Sequence, residues 1–229
     1  MSNWNFYIKN FVAYLKIERS LSSNSVEAYL HDVQLLVQYL NIEKNMVNPE
    51  DLMLNDFENF IAHLHDLGLS DRSQARIISG LKAFYKYLLT DDFISEDPTS
   101  LLEGPKLGKK LPDTLSFEEI ETLIGALDLS KAENVRNKAM LETLYSSGLR
   151  VSELINLQIS HIYKEVSFIR VIGKGNKERL IPIGSEALKQ IEIYLEHVRN
   201  TLPQYPKYSD VLFLNKRGKP ISRVMVFLV

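Results

Sequence analysis

Seven apolar side chains, Val26, Tyr29, Leu30, Val33, Leu36, Val37 and Leu40, recur at three- and four-residue intervals over one stretch of the chain. That spacing puts them along one face of an α-helix. A face so apolar has to be covered by neighbours of the same kind. Ser22 or Ser23 is placed to cap its start. Phe11, Tyr14 and Leu15 share a face upstream, Phe57, Phe60, Ile61 and Leu64 mark a third helix closed by Gly68, and a fourth runs from Ser70 to Leu89. The polar connections are short, which favours antiparallel packing into a compact bundle of four or five helices.

The fourth helix has two unlike faces. Ile77, Ile78, Leu81, Phe84, Tyr85 and Leu88 fill one sector, while Arg72, Arg76, Lys82 and Lys86 gather on the other side around Ser79. This basic stripe lies in acidic surroundings. Residues 1–103 hold 8 Lys and Arg against 15 Asp and Glu, a net −7, and residues 104–229 hold 19 against 14, a net +5. The overall charge of −2 therefore hides local patches, and those decide whether a polyanion binds. Such a stripe is either an ordinary solvated face or a surface laid along DNA phosphates.

Residues 104–112, GPKLGKKLP, read as an extended basic linker whose Lys106, Lys109 and Lys110 can follow a phosphate backbone. The GPKLGK run is one residue short of a nucleotide-binding loop, has Lys110 where Ser or Thr is needed, and opens no helix, so that chemistry is excluded. Beyond it, Ser116 and Glu119 form a capping box for a helix over 117–127. Another helix covers 135–147 and stops at Gly148, followed by a short one that Ser152 can cap. VSFIRVI and ERLIPI are β-branched runs joined by GKGNK, and Pro182 puts the second at a sheet edge. A helix over 186–200 and a short strand, VLFL at 211–214, come next. The last segment, ISRVMVFLV, ends in mid-pattern, so the chain is expected to be cut there. The expected fold class is mainly α with a small antiparallel β-sheet. It comprises a helical bundle over 1–103, the linker over 104–112, and an incomplete α+β domain over 113–229.

Within MLETLYSSGLRVSELINL, Arg150 stands in apolar company and needs partners for its five donors. It follows a helix ended at Gly148 and precedes another whose first N–H groups are free, a setting that suits a phosphate. Glu153 can orient the guanidinium, or the two can form a plain ion pair bracing two helices. In the turn GKGNKER, glycines on both sides leave Lys174 on an open tip. It can serve there as a charge contact, as a proton donor to a leaving oxygen, or as part of an ordinary polar turn.

Other chemistries find little support. Cysteine is absent, which excludes disulfides and thiolate metal sites and fits a reducing compartment. The five histidines show no metal-ligand spacing, and neither a signal segment nor a membrane-length apolar run is present. The expected location is the cytoplasm.

FVAYLKIERSLSSNSVEAYLHDVQLLVQYL, SQARIISGLKAFYKYL, YSSGLRVSELINL and VIGKGNKERLIPI, in this order and spacing, resemble the tyrosine recombinase (phage integrase) family over essentially the whole chain. The Xer-type members are the most similar. The resemblance implies a SAM-like core-binding domain at the N-terminus, whose DNA-contacting helix is the fourth, and then a catalytic domain. It makes Arg150 the first catalytic arginine, which holds the scissile phosphate, Lys174 the general acid for the leaving 5′ oxygen, and Glu153 a supporting acid. Arg72, Arg76, Lys82, Lys86, Lys106, Lys109, Lys110, Lys177 and Arg179 are the expected DNA contacts.

The implied activity is site-specific recombination through a 3′-phosphotyrosyl intermediate, serving chromosome-dimer resolution or mobile-element integration, with no metal or other cofactor. Implied partners are a double-stranded DNA recombination site, further recombinase protomers forming a tetramer on paired sites, and, for Xer-type chromosome-dimer resolution, a DNA translocase. No membrane is involved. The family's His-x-x-Arg motif and tyrosine nucleophile fall beyond the segments present, and Tyr145, Tyr163, Tyr194, Tyr205 and Tyr208 all precede that region. The chain is therefore expected to bind DNA without cleaving it. A non-enzymatic DNA-binding accessory or antagonist is the alternative, and a helical protein-interaction module ranks last.

Overall fold

The computed structural model describes residues 3–43, 47–108, 111–173, 175 and 177–229. The chain divides into two compact units, Met1–Leu111 and Pro112–Val229.

The first unit contains four α-helices among the described residues: α1 (Trp4–Ile17), α2 (Ser23–Glu43), α3 (Leu54–Asp66) and α4 (Asp71–Thr90). Their ends follow local rules. Ser22 caps α2, its Oγ accepting the Ser25 N–H at 3.4 Å, and Ser70 caps α4 by accepting from Ser73 at 3.3 Å. Gly68, at φ +78°, makes the turn after α3 that a side chain would strain. Helix α4 packs on the other three and supplies the centre of the core. Ile77, Leu81, Phe84, Tyr85, Tyr87 and Leu88 meet Phe11, Leu36, Leu40, Phe57 and Phe60, all fully buried. Buried polar atoms find backbone partners: Tyr85 donates to the Pro49 carbonyl at 3.1 Å and Trp4 Nε1 to that of Val47 at 2.8 Å.

One polar group sits where the sequence pattern calls for an apolar one. Asp32, on the buried side of α2, is 2% exposed and packs against Gly80 of α4. Arg76, one turn before Gly80, grips it through Nη1 at 2.8 Å to Oδ2. Burial pushes the Asp32 carboxyl above its usual range, and Arg76 pulls it back only in part.

The second unit contains α5 (Phe117–Gly125), α6 (Ala132–Ser147), α7 (Val151–Ile155), β1 (Ile162–Tyr163), β2 (Phe168–Ile172), β3 (Glu178–Pro182), α8 (Ser185–His197) and α9 (Arg223–Phe227). The Ser116–Glu119 capping box opens α5, with Glu119 accepting the Ser116 N–H at 2.7 Å and Ser116 that of Glu119 at 3.2 Å. The strands form one antiparallel sheet in the order β1-β2-β3. The β2–β3 register runs from Phe168 opposite Pro182 to Ile172 opposite Glu178, which leaves Pro182 on an edge strand. Alternation along β2 buries Ile169 and Val171. They join Met140 of α6, Leu154 of α7, and Ala187, Ile191 and Tyr194 of α8 in one core.

The fold is thus mainly α with a small antiparallel sheet. Two local expectations need correction. VLFL at 211–214 is not a strand: the segment makes only isolated bridges, Gln158 with Val211 and Leu214 with Pro220. Two of its carbonyls, Val211 at 2.8 Å and Leu212 at 3.2 Å, are taken instead by the buried Arg199, which also donates to Ser209 at 2.6 Å, and that of Leu214 by Arg136 at 3.3 Å. Ser152 lies inside α7 rather than at its cap, because Arg150 occupies the capping position and Glu153 supplies the oxygen. Among the described residues no helix is long and apolar enough to cross a membrane.

Candidate nucleic-acid and phosphate-binding site

Helix α6 ends at Gly148, whose backbone adopts the left-handed conformation at φ 56°, open to glycine at little cost. The chain turns there, buries Leu149, and presents Arg150 in extended conformation before α7 begins. α7 is short, and its inward face carries Glu153 and Leu154. Arg150 therefore stands at the surface while the acid three residues on goes inside. The Arg150 side chain is 72% exposed and that of Glu153 3%.

Two guanidinium groups and one backbone amide fill the Glu153 carboxylate. Its Oε2 accepts the Arg150 backbone N–H at 2.9 Å and Arg179 Nη2 at 2.9 Å. Its Oε1 accepts Arg150 Nη1 at 3.1 Å and Arg179 Nη1 at 2.8 Å. Arg179, in β3, makes a two-pronged contact, whereas Arg150 commits one side-chain nitrogen. Burial pushes the Glu153 carboxyl up, but the hydrogen bonds from Arg179 and Arg150 outweigh it and hold the group below its usual range. The acid stays ionised, and the cluster carries two positive charges against one negative.

The turn between β2 and β3 closes on this cluster. The Gly173 N–H donates to the Lys177 carbonyl at 2.8 Å. A Cβ at Gly173 would stand 3.1 Å from Arg179 Nη1 and 3.5 Å from Glu153 Oε1. The glycine thus lets the turn backbone approach the ion pair closely. Lys174 lies outside the described residues, as do Lys109 and Lys110 of the linker. Lys177 and Lys106 are exposed.

On α4, Arg72, Arg76 and Lys86 are exposed and Lys82 is half-buried, all on the face away from the core. The stripe is real, but it is not free of acid. Arg76 is tied to Asp32, though its side chain keeps 48% exposure. Arg179 likewise spends both terminal nitrogens on Glu153. Sequence reasoning missed both anchors. Gly80 was the available signal, since a glycine inside a helix is unfavourable and marks a close approach.

A four-helix unit is followed by an α+β unit with an exposed arginine seated on a buried acid, an arrangement that places the chain in the integrase class of two-domain proteins. Family profiles agree, with "Phage integrase, N-terminal SAM-like domain" matching residues 8–91 and "Phage integrase family" matching residues 113–228. The chain belongs to the phage integrase family, the tyrosine recombinases. It is 39% identical to the tyrosine recombinase XerD of Listeria monocytogenes serotype 4b over 96% of this chain and 74% of that protein. Two solved structures share the fold. XerH site-specific recombinase bound to its difH substrate in a pre-cleavage complex aligns with a TM-score of 0.73 at 18% identity, over 97% of this chain and 76% of the other. A lambda integrase dimer bound to a core site aligns with a TM-score of 0.72 at 17% identity, over 99% of this chain and 78% of the other.

Proposed function

We propose that the chain acts in site-specific DNA recombination, with residues 1–103 as a core-binding domain, 104–112 as linker and 113–229 as part of the catalytic domain. One observation carries this reading. Arg150 is exposed to solvent at the start of α7, yet a buried carboxylate fixes its position. A surface ion pair of no function needs no such anchor, whereas an arginine that must meet a phosphate in one orientation does. In this reading Arg150 holds the scissile phosphate, Lys174 gives a proton to the departing 5′ oxygen, and Glu153 supports the arginine. Arg72, Arg76, Lys82 and Lys86 line the DNA from α4. Lys106, Lys109 and Lys110 follow the backbone from the linker, with Lys177 beside the turn.

Strand cleavage by a tyrosine exchanges one phosphoester for another, so the bond energy is kept and the chemistry draws on positioned charge rather than on a cofactor. No histidine in these 229 residues is followed three positions later by arginine. We assign to this chain DNA binding without cleavage, the complete activity requiring that motif and a nucleophile. The DNA-bound XerH and dimeric lambda integrase support duplex DNA and a second protomer as partners.

A mobility-shift titration on duplex DNA tests the binding. Affinity is expected to fall with salt, and the slope is expected to drop by about 0.9 for each phosphate contact removed. Arg72→Ala with Lys82→Ala and Lys86→Ala is the cleaner variant, since Arg76→Ala would also strand Asp32. Unchanged affinity in that variant counts against the α4 interface. A covalent protein–DNA adduct on a nicked suicide substrate would overturn the assignment of binding without cleavage.

A further inference from the structure

We infer that Arg179 is a positioning residue that orients Arg150 by holding the Glu153 carboxylate from the opposite side, and so links the turn between β2 and β3 to the phosphate-binding arginine. This rests on the reading of Arg150 as a phosphate ligand.

One carboxylate has a limited capacity for donors. Its two oxygens offer about four lone-pair sites, and at Glu153 all four are filled by Arg150 and Arg179. Arg179 takes one site on each oxygen, which fixes the plane of the carboxylate as a single hydrogen bond would not. With the plane fixed, Oε2 points at the Arg150 amide and Oε1 at Nη1 alone. Among the described residues the remaining nitrogens of Arg150 have no partner, at a surface where its side chain is 72% exposed. Without Arg179 the carboxylate is held by Arg150 alone, and can turn about its bond to the Arg150 amide to take the guanidinium in a two-pronged pair. That would draw the guanidinium inward and cancel its charge just where a phosphate has to compete for it.

The turn enters through packing. Gly173 abuts both Arg179 Nη1 and Glu153 Oε1, and its N–H closes the turn on Lys177. The same carboxylate thus anchors the start of α7 and the base of the turn. Arg179 is an expected DNA contact from the sequence, yet both its terminal nitrogens lie on Glu153.

A double-substitution cycle on the 229-residue chain separates the two roles, with a mixed-sequence duplex as probe and circular dichroism to verify folding. Arg150→Gln is expected to weaken binding about tenfold in the parent, the size of one charge-assisted contact. In the Arg179→Gln background the same change is expected to cost only about twofold, because the arginine is already misplaced. Arg179→Lys keeps the charge but cannot span both oxygens, so it is expected to behave as Arg179→Gln does. It also carries the cycle if Arg179→Gln does not fold. In a Glu153→Gln background, changing Arg179 is expected to have little further effect. Additive losses from Arg150 and Arg179, with affinity restored by Arg179→Lys, would make Arg179 an independent phosphate contact and overturn the inference. Arg150→Gln with no effect in the parent would overturn the phosphate reading itself.

Discussion

Replacing Gly80 with alanine tests whether α2 and α4 are joined through the Asp32 carboxylate. An added Cβ would overlap the carboxylate oxygen Oδ2 and lie 2.8 Å from the Asp32 Cβ and 2.9 Å from its Cγ. The carboxylate has little room to move, being 2% exposed and held by Arg76 at 2.8 Å. Two effects oppose each other. Alanine gains about 1 kcal/mol over glycine within a helix, while a methyl forced into a filled site costs about 1–3 kcal/mol. Three heavy atoms within 3 Å put this site at the upper end of that cost, so the net loss is about 1–2 kcal/mol. For a unit of this length the midpoint should fall by roughly 5–15 °C. Trp4 is the only tryptophan and is buried in the first unit, so its fluorescence follows the unfolding of that unit. Adding Asp32→Ala removes the oxygen and Cγ from the contact. The double variant is then expected to lose less than the sum of the singles, by at least about 0.5 kcal/mol. A Gly80→Ala protein that melts at or above the parent temperature would show that helix propensity alone governs this position, and the packing argument would fail.

Asp32 and Glu153, both buried, should respond to pH with opposite signs. Asp32 titrates above its ordinary 3.8 in the folded state, so its charge is a penalty at neutral pH that fades as pH falls through the folded value toward 3.8. Asp32→Asn is therefore expected to stabilise the first unit near neutral pH and to lose that advantage in acid; urea unfolding followed by Trp4 fluorescence reads the difference, and destabilisation at neutral pH refutes it. Glu153 titrates below its ordinary 4.5, so its contribution is present above 4.5 and lost as pH falls through the folded value. Glu153→Gln should accordingly cost most near neutral pH and little in acid, as monitored by far-ultraviolet circular dichroism, and a cost independent of pH contradicts the assignment. Arg199→Met would leave the carbonyls of Ser209, Val211 and Leu212 without the guanidinium donor, while that of Tyr208 keeps the Val211 N–H, at a cost of about 3 kcal/mol in the second unit. A loss below about 1 kcal/mol in urea unfolding would show that water replaces the guanidinium there.

What could be read from the sequence was whatever short-range rules govern. The helical spacing of α2 and α4, the Ser116–Glu119 box, the stop at Gly148 and the edge position of Pro182 each depend on neighbours a few residues away. The segment at 211–214 resisted for the opposite reason. Its β-branched and aromatic residues do favour a strand, but its carbonyls at Val211 and Leu212 go to Arg199, twelve and thirteen residues earlier, and its Leu214 carbonyl to Arg136, and nothing in VLFL reports that. Arg150 was conspicuous because it broke an apolar pattern. Arg179 was not, because an arginine in a polar turn is unremarkable, and only the fold brings it to Glu153, 26 residues away in sequence.

Burial of Asp32 and Glu153 leaves positive charge exposed locally above them, in a chain whose net charge is −2. Net charge counts every carboxylate equally, whereas a phosphate approaching from solvent meets mainly the exposed groups. Glu153 cancels one charge of the Arg150–Arg179 pair, yet its side chain is 3% exposed while theirs are 72% and 40% exposed. Asp32 stands in the same relation to Arg76 on α4. The acids lie beneath the arginines they hold, so each costs the surface part of a charge and gives in return a fixed direction. A flexible lysine in their place would keep more charge and lose the orientation, which suits loose attraction to DNA but not the capture of one phosphate in one geometry.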